Sequence, residues 1–310
     1  MNKLTLPLSS GFNYLLKKTK RTLCVSGASL LMFVSSAATA TPISDMYVFG
    51  DSLSDTGAFA ALAPGFCPDP PYADCRFSNG PVWVEHLATD LGVSATTAYA
   101  GGTNWAIGGQ RTDNLFADPN FGGQIFNYLG SAGGMADADA LYVIWAGGND
   151  FLQNDSVTTY TPGNAAQNIV DSVAALAMAG AMNFLVPNLP IAAPWAFEFN
   201  AALADGLDGI SSGLNITQLD VFSTFVDITL NPSDYNLTNV TEPCVDVMNS
   251  TLCTDPDEYL LWDQVHPTAV GHQLIASAAL AALAVPEPAL LALFGFGMLA
   301  LVRTRRKIRA

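Results

Sequence analysis

Two short stretches carry the residue types of nucleophilic catalysis. The first runs from Val48 to Gly57, VFGDSLSDTG, where an apolar strand end meets a polar corner. The second, Trp262-Asp263-Gln264-Val265-His266-Pro267, sets a carboxylate three residues before an imidazole. A serine hydroxyl attacks a carbonyl only when a base takes its proton. His266 can be that base, and Asp263 can orient it and stabilise the imidazolium. Read alone, the first stretch is equally a turn, because Gly, Asp and Ser end strands and cap helices. The chain holds three histidines. His86 falls on an expected helix, as a surface or packing residue. His272 lies inside the last helix and reads as a solvated or hydrogen-bonded side chain.

Two further stretches can serve a developing negative charge. Gly101 to Thr112, GGTNWAIGGQRT, holds Gly108 and Gly109, where the backbone can approach a substrate closely. Gly147-Gly148-Asn149-Asp150 ends an apolar run, and the Asn149 amide can donate to an oxyanion. Each is also an ordinary turn signal.

These stretches need a scaffold. Asp45–Gly50 reads as a buried strand, as do Ala140–Ala146 and Asn183–Val186, with short strands at Thr96–Ala100 and near Leu219–Phe222. Between them lie helical patterns at Val82–Leu91, Asn164–Gly180 and in the stretch from Ala196, with a final helix at Thr268–Ala284 and Pro267 suited to its first turn. Pro64–Gly80 and Asn231–Glu258 read as surface excursions. Strands alternating with helices predict an α/β fold with a mainly parallel sheet. Sites in such sheets lie at the carboxyl ends of the strands, where the four stretches fall.

In order, GDSL at 50–53, the glycines after NWAI, GGND at 147–150 and DQVH at 263–266 resemble the four blocks of the GDSL, or SGNH, hydrolase family. The VFGDSLSDTG and NWAIGGQRT forms are most similar to its secreted bacterial lipase/esterase branch, which includes autotransporter esterases. The resemblance implies a three-layer α/β/α sandwich with a central parallel sheet of about five strands. It implies Ser52 as nucleophile and backbone oxyanion donor, Gly109 (or Gly108, the register being open) as second donor and Asn149 as third. His266 would be the base and Asp263 its orienting partner. An esterase or lipase of this kind needs neither metal nor organic cofactor. Its substrates would be lipid or short-chain esters, or, as an alternative, O-acetyl groups on an extracellular polysaccharide. A reading of another class is a surface or matrix protein that keeps the fold without catalysis. Trp83, Trp105, Trp145 and Trp195 are candidates for lining a groove, or core; Pro187–Phe199 could line an acyl pocket or pack as a loop.

The ends of the chain read as addresses. Lys17, Lys18, Lys20 and Arg21 precede the apolar run Thr22–Val34, and Ala38-Thr39-Ala40 fits a signal-peptidase site with cleavage after Ala40; an uncleaved anchor is the alternative. At the other end, Pro286-Glu287-Pro288 is followed by apolar Ala289–Val302 and a cluster of arginines. This order resembles the PEP-CTERM sorting signal of Gram-negative bacteria, which implies an exosortase-type protease as partner and delivery to the cell surface or matrix. Fourteen apolar residues are short for a transmembrane helix, consistent with a transient anchor. The expected organisation is therefore a signal peptide at 1–40, a hydrolase domain at 41–284 and a sorting segment at 285–310.

Between residues 41 and 288 only Arg76 and Arg111 stand against all 27 carboxylates of the chain, and there is no lysine. Such a surface repels phosphate backbones, which excludes a nucleic-acid partner, and it disfavours polyanionic substrates. Cys67, Cys75, Cys244 and Cys253 form two close pairs in sequence. In an exported chain they are disulfide candidates, and the short separations favour two local loops among the three possible pairings. Metal binding is the weaker alternative, because the spacings are not CxxC and no histidine is near.

Overall fold

The computed structural model describes residues 43–63, 65–69, 71–116, 123–153, 160–246 and 251–284. The two terminal segments expected to act in export and sorting lie outside the described residues. Four strands, β1 (Met46–Gly50), β2 (Leu141–Trp145), β3 (Asn183–Pro187) and β4 (Asn215–Leu219), form one parallel sheet in the order β1-β2-β3-β4. The strand expected near Leu219–Phe222 lies earlier, because Asp220 caps a helix by accepting from Ser223 N–H.

About five strands are expected, and the remaining edge is occupied without a regular strand. Thr96–Ala100 closes into a 3-10 turn. The chain just beyond it then lies along β1: Val48 N–H donates to Thr103 O at 3.3 Å, Trp105 N–H to Val48 O at 2.8 Å, and Ile107 N–H to Gly50 O at 3.2 Å. The second glycine block is thereby laid beside the strand that carries Ser52.

Helices cover both faces. Helices α1 (Ala58–Leu62) and α2 (Trp83–Leu91) precede α3 (Gln124–Ser131) and α4 (Gly148–Leu152). Then follow α5 (Pro162–Met178), α6 (Pro194–Ile210), α7 (Val221–Leu230) and α8 (Ala269–Leu283). Alternation along β2 explains the layers, since successive side chains of a strand point to opposite faces. Tyr142 and Ile144 join Ile125, Ile169, Val173 and Phe199 of α3, α5 and α6. Leu141, Val143 and Trp145 join Trp83, Leu87, Ile275 and Ala279 of α2 and α8. All five β2 residues are buried, as a strand packed on both faces requires. The result is a three-layer α/β/α sandwich.

The polar excursion after α7 holds two small ladders. Strand β5 (Asn239–Pro243) pairs with β8 (Tyr259–Leu261), and β6 (Val245–Asp246) pairs with β7 (Thr251–Leu252). Both cysteine pairs close locally, Cys67 with Cys75 and Cys244 with Cys253. Pro267 sits one residue earlier than expected, before the cap of α8: Thr268 is the N-cap, its side chain accepting from Gly271 N–H. No helix among the described residues is long and apolar enough to cross a membrane.

Candidate active site

The site forms beyond the carboxyl ends of β1 and β2. Gly50 closes β1 where only glycine fits, because a Cβ there would lie 2.2 Å from Trp145 O. The Gln124 side chain clamps this residue, accepting from Gly50 N–H at 2.8 Å and donating to Gly50 O at 2.7 Å. The side chain thus supplies the acceptor that Gly50 N–H lacks and shares Gly50 O with Ile107 N–H. The next two residues turn away, and Ser52 stands at the corner with 8% of its surface exposed.

The Asp263–His266 loop is folded by its own carboxylate. Asp263 Oδ1 accepts from Val265 N–H at 2.8 Å and His266 N–H at 2.7 Å. This local turn explains the three-residue spacing: it swings the imidazole back over the carboxylate. His266 Nδ1 lies 2.8 Å from Asp263 Oδ2, and Nε2 lies 2.7 Å from Ser52 Oγ. Ser52, His266 and Asp263, 214 residues apart at the extremes of the serine–histidine pair, thus form one continuous hydrogen-bonded row. Burial pushes the Asp263 carboxyl up, but the bond and charge of His266, the Tyr72 hydroxyl and the His266 N–H outweigh it and bring it down to about 2. Asp263 is therefore a carboxylate throughout the neutral range.

Tyr72 is a member of this row that the sequence did not reveal. Its hydroxyl donates to Asp263 Oδ2 at 2.6 Å, so the oxygen facing the imidazole is also held from the other side. Tyr72 lies in the loop closed by Cys67–Cys75, and nothing in its spacing links it to a residue 191 positions later. Asp55 is a second such residue. Its carboxylate accepts from Gly57 N–H at 2.8 Å, Ala58 N–H at 2.7 Å and Gly108 N–H at 2.8 Å. Burial raises it to about 6 against these bonds. Asp55 thus ties the serine corner to the glycine block.

That bond separates the two glycines. Gly108 N–H is committed to Asp55, whereas Gly109 lines a cavity of about 200 Å³ together with Ser52, Asn149 and His266. A Cβ at Gly108 would lie 2.2 Å from the Phe77 ring, so a larger residue there would displace that ring. Asn149 donates through Nδ2 to Gln110 O at 3.1 Å, and its Oδ1 accepts from Gln153 Nε2 at 3.1 Å. The amide carries a second N–H, so it can donate to a substrate oxygen while keeping the Gln110 bond. Burial lifts Asp51 to about 6, opposed by Leu53 N–H and the nearby His266.

The remaining candidates divide. Trp83 and Trp145 are buried in the core, and Trp145 also walls the 200 Å³ cavity; Trp105 and Trp195 pack against the other core cluster. From the Pro187–Phe199 stretch, Leu189, Pro190 and Ile191 reach the cavity, while Phe199 is core. His272 departs from the expectation of a solvated or hydrogen-bonded ring. It is fully buried, and neither nitrogen has a hydrogen-bond partner among the described residues.

Comparison with known proteins finds relatives of this chain. A 26% identical match covers 76% of this chain and 62% of the thermolabile hemolysin of Vibrio parahaemolyticus. Esterase EstA of Pseudomonas aeruginosa is 32% identical over 84% of this chain and 50% of its own length. Phosphatidylcholine-sterol acyltransferase of Aeromonas hydrophila is 30% identical over 54% of this chain and 50% of its own. The chain thus spans only about half to three-fifths of these relatives. Among solved structures, a member of the lipolytic protein G-D-S-L family from Veillonella parvula superposes with a TM-score of 0.45 at 17% identity, covering 76% of this chain and 96% of that one. Residues 284–307 match the PEP-CTERM protein-sorting motif. Residues 46–279 match the GDSL-like lipase/acylhydrolase model, and the chain belongs to that family.

Proposed function

We propose that the chain is an exported serine ester hydrolase working through Ser52, His266 and Asp263. The observation that carries the reading is the hydrogen-bonded row from Ser52 Oγ through the imidazole to the Asp263 carboxylate. Ser52 Oγ attacks the ester carbonyl carbon as His266 Nε2 takes the hydroxyl proton. The carbonyl oxygen becomes an oxyanion, received by the backbone N–H groups of Ser52 and Gly109 and the Asn149 amide. The C–O bond to the alcohol breaks, the C=O bond re-forms, and the Nε2 proton goes to the departing oxygen. The resulting acyl-enzyme is cleaved by water, which gives its proton to His266; the ester's acid is released and Ser52 regains its hydrogen. Asp263 keeps the imidazole in the required orientation and offsets its positive charge during each transfer.

The cavity beside Ser52 favours short acyl groups. Its volume of about 200 Å³ is below the range of roughly 300–1,000 Å³ common for small-molecule sites. Leu53, Leu189, Ile191 and Phe225 give it apolar walls. The sorting motif at 284–307 supports export with processing by an exosortase-type protease. In this reading residues 1–40 are a signal peptide, 41–284 the hydrolase domain and 285–310 the sorting segment.

The test is hydrolysis of p-nitrophenyl acetate, butyrate and a long-chain ester by the purified chain and by Ser52→Ala, alongside labelling with a fluorophosphonate. Activity on the short esters and labelling of the parent are expected, both lost in Ser52→Ala. A folded parent that neither hydrolyses nor labels would leave a non-catalytic surface protein as the reading.

A further inference from the structure

One side chain joins Gly109 to Asn149. Gln153 ends α4, and side chains four residues apart on a helix are neighbours, which brings it beside Asn149. Its Nε2 donates to Gly109 O at 2.8 Å and to Asn149 Oδ1 at 3.1 Å. A carboxamide nitrogen carries two hydrogens, so these bonds use its whole donor capacity. We propose that Gln153 is a positioning residue of the oxyanion site, fixing which way round the Asn149 amide stands and where the Gly109 backbone lies. The proposal rests on the serine-hydrolase reading above.

An asparagine amide has two orientations of nearly the same shape, which exchange its oxygen and its nitrogen. Here Nδ2 meets an acceptor, Gln110 O, and Oδ1 meets a donor, Gln153 Nε2. Turned over, the amide would set oxygen against oxygen at Gln110 and nitrogen against nitrogen at Gln153. The orientation that is held keeps a second Nδ2 hydrogen for an oxyanion, whereas the reverse would bring lone pairs toward developing negative charge. Gly109 has no side chain to anchor it and sits at a φ of +80°, so bonds along its backbone must hold it. Gly108 N–H is bound to Asp55 at 2.8 Å on one side, and Gly109 O is bound to Gln153 on the other. Gln153 itself is exposed and does not line the 200 Å³ cavity. It therefore acts through the two donors and not on the substrate.

The experiment compares the purified full chain with Gln153→Ala, Gln153→Glu and Gln153→Lys on p-nitrophenyl butyrate. Gln153→Ala is expected to lower kcat and kcat/KM together by about tenfold with KM unchanged, as for an interaction felt only in the transition state. Glutamate keeps the shape of glutamine but only accepts hydrogen bonds, so it favours the reversed Asn149 amide. Gln153→Glu is expected to cost about a hundredfold, the size of a lost oxyanion donor. Lysine restores donors, and Gln153→Lys is expected to come within about threefold of the parent. A side chain that merely fills space would give the opposite order, with Glu near the parent and Ala lowest. Placed on Asn149→Ala, where there is no amide to turn, Gln153→Glu is expected to cost no more than Gln153→Ala. Circular dichroism and urea midpoints close to those of the parent are expected for all three variants, since the position is exposed. A Glu variant as active as the parent, a loss confined to KM, or a Glu-to-Ala difference that persists on Asn149→Ala would overturn the proposal. Fluorophosphonate labelling of the parent runs in parallel. If the parent labels and turns over but the variants depart from the expected order, the positioning role fails alone. If the parent neither labels nor hydrolyses, the hydrolase reading falls and takes this role with it.

Discussion

His272 makes the stability of this protein depend on acid in a calculable way. The ring is fully buried in α8 without a hydrogen-bond partner among the described residues. Burial, with smaller contributions from the charges of His266 and His86, lowers it from 6.5 to about 3. The folded state therefore binds fewer protons here than the unfolded state between about pH 3 and 6.5. Stability from this residue is present above 6.5 and is lost as pH falls toward 3. Each unit is worth about 1.4 kcal/mol, so the loss reaches about 2.7 kcal/mol near pH 4.5 and about 5 kcal/mol once the folded state itself protonates. His272→Leu removes the titration while keeping an apolar side chain of similar size. The assay is urea unfolding of parent and variant, with disulfides intact, at several values from about pH 7.5 down to about pH 4.5. Packing differences shift the variant by the same amount at every pH. The prediction is that the variant gains relative to the parent as pH falls, by about 2 to 3 kcal/mol over this range. A difference that stays flat would mean that His272 titrates alike in both states, and the burial argument would be refuted.

Three further outcomes follow from the site. Tyr72→Phe removes the hydroxyl that holds Asp263 Oδ2, and kcat on p-nitrophenyl butyrate should fall by about tenfold with the circular dichroism unchanged; an unaltered kcat would show that Asp263 is held well enough by its other bonds. Asp55→Ala leaves the N–H groups of Gly57, Ala58 and Gly108 without their acceptor, and should lower stability by about 3 kcal/mol in urea melts and impair turnover by freeing the Gly108–Gly109 turn. Gly50→Ala drives a methyl group against Trp145 O, and should destabilise by about 1–3 kcal/mol as read from the thermal midpoint, whereas a wild-type midpoint would mean that β1 and β2 can separate locally.

Much of the architecture was legible because its signals are local. The apolar run Ala140–Ala146 announced a strand covered on both faces, and β2 is buried at every position. The helical patterns at Val82–Leu91 and Thr268–Ala284 correspond to α2 and α8, each within a residue at its ends. Thr96–Ala100 was misread because β-branched threonines and a tyrosine favour strands, whereas the Thr97 side chain here accepts from Tyr99 N–H and starts a 3-10 turn. The edge strand expected there gives way to Thr103–Ile107, a stretch with glycines before and after it and no strand-like alternation.

Residue type and spacing alone determined that Ser52, Asp263 and His266 were the groups worth watching. Nucleophile, base and carboxylate are rare combinations, and DxxH is a local turn that Asp263 folds through its own side chain. The cysteine pairs were similarly readable, because short loops close most readily. Only the tertiary structure decided which residues support them. Tyr72 meets Asp263 across 191 residues, Gln124 clamps Gly50 across 74, and Asp55 takes up Gly108 across 53. These bonds depend on how separate loops pack at one end of the sheet, and no periodicity along the chain encodes that. The same holds for His272, whose helix is visible in the sequence but whose burial exists only once α8 is seated against its neighbours.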